Sequence, residues 1–478
     1  MEEEGGTPVL FPAYIEKAFK DRTLAYFEGD HLITETGDIH LCPDFSTFLC
    51  RTFEHNLLVF LLSVPTFPFL EQAIAFPGNK VLCTEEGKPI GIRLLGARRS
   101  TRWVVSAASW GAETLSLEWL QLLREVYDQA GVGVQSTPGS LGMALFRKSF
   151  EELHGEQWRE KRLRRPPGPF AEKIRYESSG ARSEVFQLNV QFDIAYENDQ
   201  HNGYGAALAQ FQPAGKTYRV RGAAVRHYAF YFVECEVTIH NTLDLGVFPV
   251  RVSEGRNRHP VFPRDVGMYR TWLWNTEIKL AEREGCHIKI LSGYGWKEAT
   301  SDFQPFVQHI ATLRDQAPPE IRPYFKLALV AMVGRLGMSA DRYKLVAGDE
   351  REEGDRCVCD AGIAYDWWIH QEHDSYPQSM PHIFSHTLML CRVSLYEMAK
   401  RCMQQELNVI ATNTDAIITE YKPAIADKGE QVETGEWTAL ELHHVIVTAN
   451  RHLDSDEKSV HPGIPKKKKG KNNGTVTT

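Results

Sequence analysis

Apolar and polar positions along the chain fall into short alternating runs and longer periodic stretches. "KVLCTEEGKPIGIRLLG" reads as two strands joined at Glu86-Gly87, a hairpin signal. In "TLSLEWLQLLREVYDQAG", Leu115, Trp119, Leu122, Leu123 and Val126 recur at helical spacing, and Gly131 is a natural C-cap. "SEVFQLNVQFDIAYEND" is strand-rich and "GYGAALAQF" is helical. "FYFVECEVTIHN", "GVFPVRV" and "HIKIL" are further strands, and "TWLWNTEIKLAEREG" predicts a helix closed by Gly285. The segment from Phe303 to about Gly337 is mostly helical. A long helix, "HTLMLCRVSLYEMAKRCMQQE", then leads into "LNVIATNTDAIITE". There two apolar runs meet at a polar turn, Asn413-Thr414-Asp415, which predicts a hairpin with a carboxylate at its tip.

A chain of 478 residues allows two to four domains with large cores. The formal net charge of −8 gives no global field for nucleic acid, so an anionic partner must be met by local basic patches. Nine cysteines are scattered without a CxxC pair, which points to reduced thiols rather than a disulfide framework. No apolar run is long enough to span a membrane and the start, "MEEEGG", is acidic, so the expectation is a cytoplasmic protein with no membrane partner. "WREKRLRRPPGPF" places Arg159, Lys161, Arg162, Arg164 and Arg165 before a Pro-rich break and marks a boundary. It reads either as a solvated linker or as an arm that tracks a phosphate backbone. The tail "KKKKGKNNGTVTT" is basic, of low complexity, and expected to be disordered.

A lone carboxylate at a hairpin tip raises the question of a partner. Phosphoryl transfer asks little of protein side chains beyond metal ligands and positive charge. A two-Mg²⁺ site can be built from two aspartates on adjacent strand ends, with substrate phosphates supplying further ligands. Asp199 is the best candidate: it closes the strand "FDIAYEND" just before a turn and a helix start. Its other reading is a turn or helix cap. Lys326 lies on an otherwise apolar helix with Arg314, Arg322 and Arg335 around it. It either reaches out to solvent or faces a phosphate.

Together these elements resemble family B DNA polymerases, especially the compact type of phages, viruses and linear plasmids. The family's first signature is an aspartate, two residues, then Ser-Leu-Tyr-Pro. Here Asp199 and Tyr204 match in Asp199-Gln200-His201-Asn202-Gly203-Tyr204-Gly205. The second is a lysine, three residues, Asn-Ser, any residue, then Tyr-Gly. Here Lys326 and Gly334 match, with Val330 and Val333 at the asparagine and tyrosine positions. The third is Tyr-any-Asp-Thr-Asp-Ser, of which Thr414 and Asp415 remain and Asn413 stands at the first aspartate. "SSGARSEVF" precedes the first signature where the family has a template-binding Gly-Gly linker. The N-terminal part holds no DxE, "FEHNLLVF" only faintly resembles an exonuclease motif, and Ser106 stands where that layout has an aspartate.

The resemblance implies an α/β (α+β) fold with a right-hand polymerase architecture. An exonuclease-like (RNase H-like) domain over 1–150, without its catalytic acids, would precede a basic linker over 151–185. The palm would follow over 186–300 and 346–465, with helical fingers over 301–345 and a basic tail over 466–478. It implies a template-directed DNA polymerase serving a virus or mobile element. Asp199 and Asp415 would bind two Mg²⁺ ions, with Mn²⁺ as a substitute. Tyr204, Lys326, Arg314 and Gly334 would bind the nucleotide, and Arg162, Arg164, Arg165, Gly180 and Arg182 the DNA. The implied partners are primer-template DNA, dNTPs, and a processivity or priming protein. The alternative is a polymerase-derived nucleic-acid-binding protein with weak or no catalysis, and a third reading is another nucleotidyltransferase on the same palm.

Overall fold

Apolar alternation becomes sheet and 3.6-residue periodicity becomes helix along most of the chain. The computed structural model describes residues 22–96, 100–155, 163–254, 257–338, 341–347, 352–357, 367–373, 379–427, 432–448, 453–457 and 459–460. Two units divide it. The first is Met1–Tyr176, Leu208–Thr217 and Glu298–Phe384, and the second Glu177–Ala207, Tyr218–Lys297 and Ser385–Thr478. Five helices matter below: α1 (Pro138–His154), α2 (Gly203–Ala209), α3 (Phe303–Gln316), α4 (Arg322–Leu336) and α5 (Pro381–Gln404).

The first unit is built on a ten-stranded sheet. Its first seven strands are β1 (Thr23–Glu28), β2 (His31–Thr34), β3 (Ile39–Leu41), β4 (Leu57–Leu61), β5 (Lys80–Cys83), β6 (Pro89–Leu95) and β7 (Thr101–Ser106). The order is β5-β6-β7-β4-β1-β2-β3, and beyond β5 the sheet continues through Asp341–Ala347, Trp367–His373 and Arg356–Cys357. Here β1, β4 and β7 run parallel, while β2 and β3 return antiparallel. This is the exonuclease-like arrangement that the resemblance implies. The continuous apolar run of β4, LLVFL, suits a parallel strand covered on both faces, and all five residues are buried. Phe27, Phe48, Phe67 and Phe69 pack edge to face or tilted beneath it. The expected hairpin at residues 80–96 is β5–β6.

Helices α1, α3 and α4 pack together in the same unit. Gly142 permits the close crossing, because a Cβ there would stand 2.4 Å from the Ala328 carbonyl oxygen of α4. Phe146 of α1 stacks on Phe303 of α3 with ring centroids 4.6 Å apart.

The second unit holds an antiparallel sheet whose centre is β8 (Arg182–Val185), β9 (Val190–Gln200), β10 (Val409–Thr414), β11 (Ala416–Thr419) and β12 (Trp437–Val447). The order is β12-β9-β11-β10-β8. A separate four-stranded sheet is formed by Tyr218–Arg221, His287–Trp296, Phe230–Ile239 and Gly267–Trp274. Among the described residues, 186–300 therefore contribute to four sheets rather than to one, because Gln212–Ala214 with Glu298–Thr300 and Val250–Glu254 with Asn257–Val261 form two further two-stranded pairs. The stretch 151–185 is more than a linker: it contains the end of α1, the helix Gly168–Glu177 and β8. Residues 466–478 lie outside the described residues. Among the described residues, no helix is long and apolar enough to cross a membrane.

Candidate active site

The hairpin at the end of α5 forms as its pattern predicts. β10 and β11 pair antiparallel with Asn413 opposite Ala416, leaving Thr414 and Asp415 as the turn. Thr414 takes φ +64°, a conformation that a β-branched residue rarely adopts. Strain of that kind costs about 1–3 kcal/mol and persists where surrounding structure enforces it. Here the Asp415 N–H donates to the Asn413 carbonyl at 2.8 Å. The strained threonine turns the chain so that the next residue, Asp415, stands at the strand end.

Strand β9 supplies the partner. Asp199 sits opposite Ala416 on β11 and opposite Thr438 on β12. The Gln200 N–H also donates to the Asp415 carbonyl at 3.1 Å. Antiparallel partners have Cα atoms about 5 Å apart, and Asp415 adjoins the residue paired with Asp199. Two aspartates far apart in sequence thus meet at one end of the sheet.

The chain then turns through Asn202 at φ +54° into α2. A Cβ on Gly203 would lie 3.4 Å from the Asp415 Cβ, so α2 starts within van der Waals reach of the hairpin turn. Tyr204 follows, half-buried. Burial raises its phenol pKa, and Cys391 and Asp415 add to the shift. Cys391 is itself pushed up to about 12, by burial first and then by Asp415. Both side chains are therefore neutral near pH 7 beside the carboxylate.

Asp199 and Asp415 offer hard oxygen donors at a strand end, the chemistry Mg²⁺ prefers. Among the described residues no group of three or more His, Cys, Asp or Glu is arranged to hold a metal ion. A divalent ion at this pair would take its remaining ligands from water and phosphate.

Lys326 and Gly334 belong to the first unit. Arg322, Lys326, Val330 and Gly334 recur along α4 and all four are exposed. Nothing lies within 4 Å of a Cβ built on Gly334, so packing does not require a glycine there. Val330 shares this exposed face, whereas Val333 is buried in the core. Arg335 is anchored internally, donating to the Ser140 hydroxyl at 2.6 Å. Arg314 lies half-buried on α3, and burial lowers its pKa.

The basic residues expected to bind DNA fare differently. Arg162 lies outside the described residues. Arg164 and Arg165 are half-buried, and Arg165 is lowered by burial and then by neighbouring Arg175. Gly180 is exposed. Arg182 is 1% exposed, donates to the Gly246 carbonyl at 2.7 Å, pairs with Glu184 and lies over the Phe262 ring. Its role is thus a core anchor, which corrects the expectation of a DNA contact.

Sequence reasoning missed Arg392. Its guanidinium is buried, pairs with Glu277 at 2.7 Å, and donates to the Ser179 and Gly180 carbonyls at 2.6 and 2.9 Å. It pins the exposed Gly180 turn to α5. A single arginine within the apolar "LMLCRVSLY" was the available signal. In the first unit, a cleft of about 560 Å³ opens at the carboxyl ends of β1 and β4. Ser63, Thr66 and Thr114 line it, and Glu28 is the one carboxylate among its lining residues. Ser106 ends β7 and donates to the Leu62 carbonyl.

Known proteins share the fold. The family model for DNA polymerase type B, organellar and viral, matches residues 118–361. A probable DNA polymerase of Podospora anserina is 28% identical over 115 residues, which are 24% of this chain and 9% of that relative's length. Phi29 DNA polymerase complexed with primer-template DNA superposes with a TM-score of 0.68 at 13% identity, covering 92% of this chain and 90% of that one. Its ternary complex with primer-template DNA and incoming nucleotide substrates gives 0.68 at 14% identity, covering 93% and 89%. The fold is shared, and the chain belongs to the organellar and viral type B DNA polymerases.

Proposed function

We propose that this chain is a template-directed DNA polymerase that adds dNMP to a primer 3′-hydroxyl. The observation that carries the reading is the pairing of β9 with β11, which sets Asp199 beside Asp415. The two carboxylates would hold two Mg²⁺ ions, or Mn²⁺ in their place. Bound there, the ions would neutralise charge at the transferred phosphate and favour ionisation of the attacking hydroxyl. The chain's own residues do the positioning. Asp199 would present its carboxylate from the end of β9 and Asp415 from the β10–β11 turn, and Tyr204 would present a neutral aromatic face to the sugar. Crowding at that ring would exclude a ribose 2′-hydroxyl. The α4 face with Lys326 and Gly334 would meet the triphosphate, with Arg314 as a weaker contributor. Gly180 lies in the stretch that would follow the template, and Arg164 and Arg165 would contact the DNA backbone.

In domain terms, residues 1–150 would be the exonuclease-like part, 301–345 the fingers, and 186–300 with the part of 346–465 beyond Phe384 the palm, because Arg356–Cys357 and Trp367–His373 extend the first unit's sheet. Primer-template DNA and dNTPs are the substrates, and a priming or processivity protein is a fitting partner. The test is extension of an annealed primer in Mg²⁺ with four dNTPs. Products whose sequence follows the template are expected. DNA binding without extension, or addition that ignores the template, contradicts the reading.

A further inference from the structure

Beside the strand end that carries Asp199 lies a tight turn, Glu433–Glu436. The Glu436 N–H donates to the Glu433 carbonyl at 3.1 Å, and the Glu433 N–H to the Glu436 carboxylate at 2.8 Å. Gly435 holds the third position at φ +97°, which a type II turn demands and a side chain resists. The turn is stitched to the end of β9 by three hydrogen bonds. Gly435 N–H donates to the His201 carbonyl at 2.8 Å, and His201 N–H to the Glu436 carbonyl at 2.7 Å. The Gln200 side-chain amide donates to the Gly435 carbonyl at 2.9 Å. On its other side Gly435 faces α2, where a Cβ would stand 3.2 Å from the Cβ of Ala206, two residues beyond Tyr204.

One glycine therefore touches the helix that carries Tyr204 and is bonded to the strand that carries Asp199. That strand is in turn bonded to the turn that carries Asp415. We infer that Gly435 is a positioning residue that sets the separation between α2 and the end of β9, and so the space between Tyr204 and the two carboxylates. A side chain at 435 pushes α2 outward. The cost falls on nucleotide binding and sugar selection, because Gly435 itself touches neither carboxylate. The meaning of this spacing rests on the polymerase reading, but the brace itself does not.

The test uses the full chain with Gly435→Ala, Ala206→Gly and the double variant, each checked for cooperative thermal unfolding. Hydrogen exchange over residues 203–209 is the first readout. Gly435→Ala is expected to speed exchange there by about tenfold, and by clearly less when Ala206 is already glycine, since contacting residues couple. Ala206→Val, which crowds the same contact from the helix side without backbone strain at 435, should reproduce the effect. Equal effects of Gly435→Ala in both backgrounds, or unchanged exchange over 203–209, overturn the inference. Steady-state extension is the second readout. Gly435→Ala should raise the KM for dNTP and the relative use of rNTP about tenfold, with kcat within about twofold. A loss confined to kcat contradicts the inference. Failure of the unsubstituted chain to extend primers would defeat the polymerase reading, while the exchange result would still decide whether Gly435 braces α2.

Discussion

Asp415 owes its place to the threonine before it. A strained φ at Thr414 and a close approach at Gly203 put a carboxylate and a half-buried tyrosine side by side. On the proposed reading, Tyr204 is the residue whose size would decide which sugar fits. Tyr204→Ala should leave dNTP extension within about tenfold and raise relative rNTP incorporation by about tenfold or more, measured as the ratio of kcat/KM values. Unchanged discrimination would remove Tyr204 from the sugar pocket. Asp415 is legible in the amino-acid order as the tip of a hairpin, whereas Tyr204 is singled out by the resemblance of Asp199–Gly205 to a family signature. The burial of Arg182 is legible in neither way. The resemblance implies a DNA contact for this residue, and only the fold brings Gly246 and Phe262 around its guanidinium.

At the scale of elements, α4 and α5 do different work. The exposed row Arg322, Lys326, Val330 and Gly334 on α4 has no packing role that calls for a glycine. Lys326→Ala should raise the KM for dNTP about tenfold while barely moving the melting temperature, since exposed lysines contribute little to stability. A large thermal shift would instead make it structural. On α5, Arg392 is buried against Glu277 and two carbonyls. Arg392→Met leaves Glu277 a buried charge without this partner. Removing one member of a buried pair typically costs about 3–5 kcal/mol, which urea unfolding should register. A cost under about 1 kcal/mol would show that the pair is dispensable. Helices and hairpins are readable from periodicity, including the β10–β11 turn. Periodicity does not show that residues 186–300 split between four sheets, because pairing between distant strands is a tertiary choice.

For the molecule as a whole, the parallel strands of the first unit keep the exonuclease-like order but open onto a cleft with one carboxylate, Glu28. A two-metal nuclease site needs more acids than that. A single-stranded DNA labelled at its 5′ end should therefore keep its length in Mg²⁺ without dNTPs, and progressive shortening from the 3′ end would place a nuclease in the chain. The absence of a DxE makes this expectation possible from sequence, whereas the cleft itself needs the fold. In the proposed reaction Asp199 and Asp415 act as one site across the β9–β11 pair. The most direct measurement is primer-extension rate for Asp199→Asn and Asp415→Asn, with matched thermal unfolding to show that both remain folded. Each substitution alone should lower the rate by at least about a thousandfold, and the double variant should be little worse than either single one, as residues of one unit behave. Near-normal extension by either folded single variant would remove that aspartate from the catalytic site.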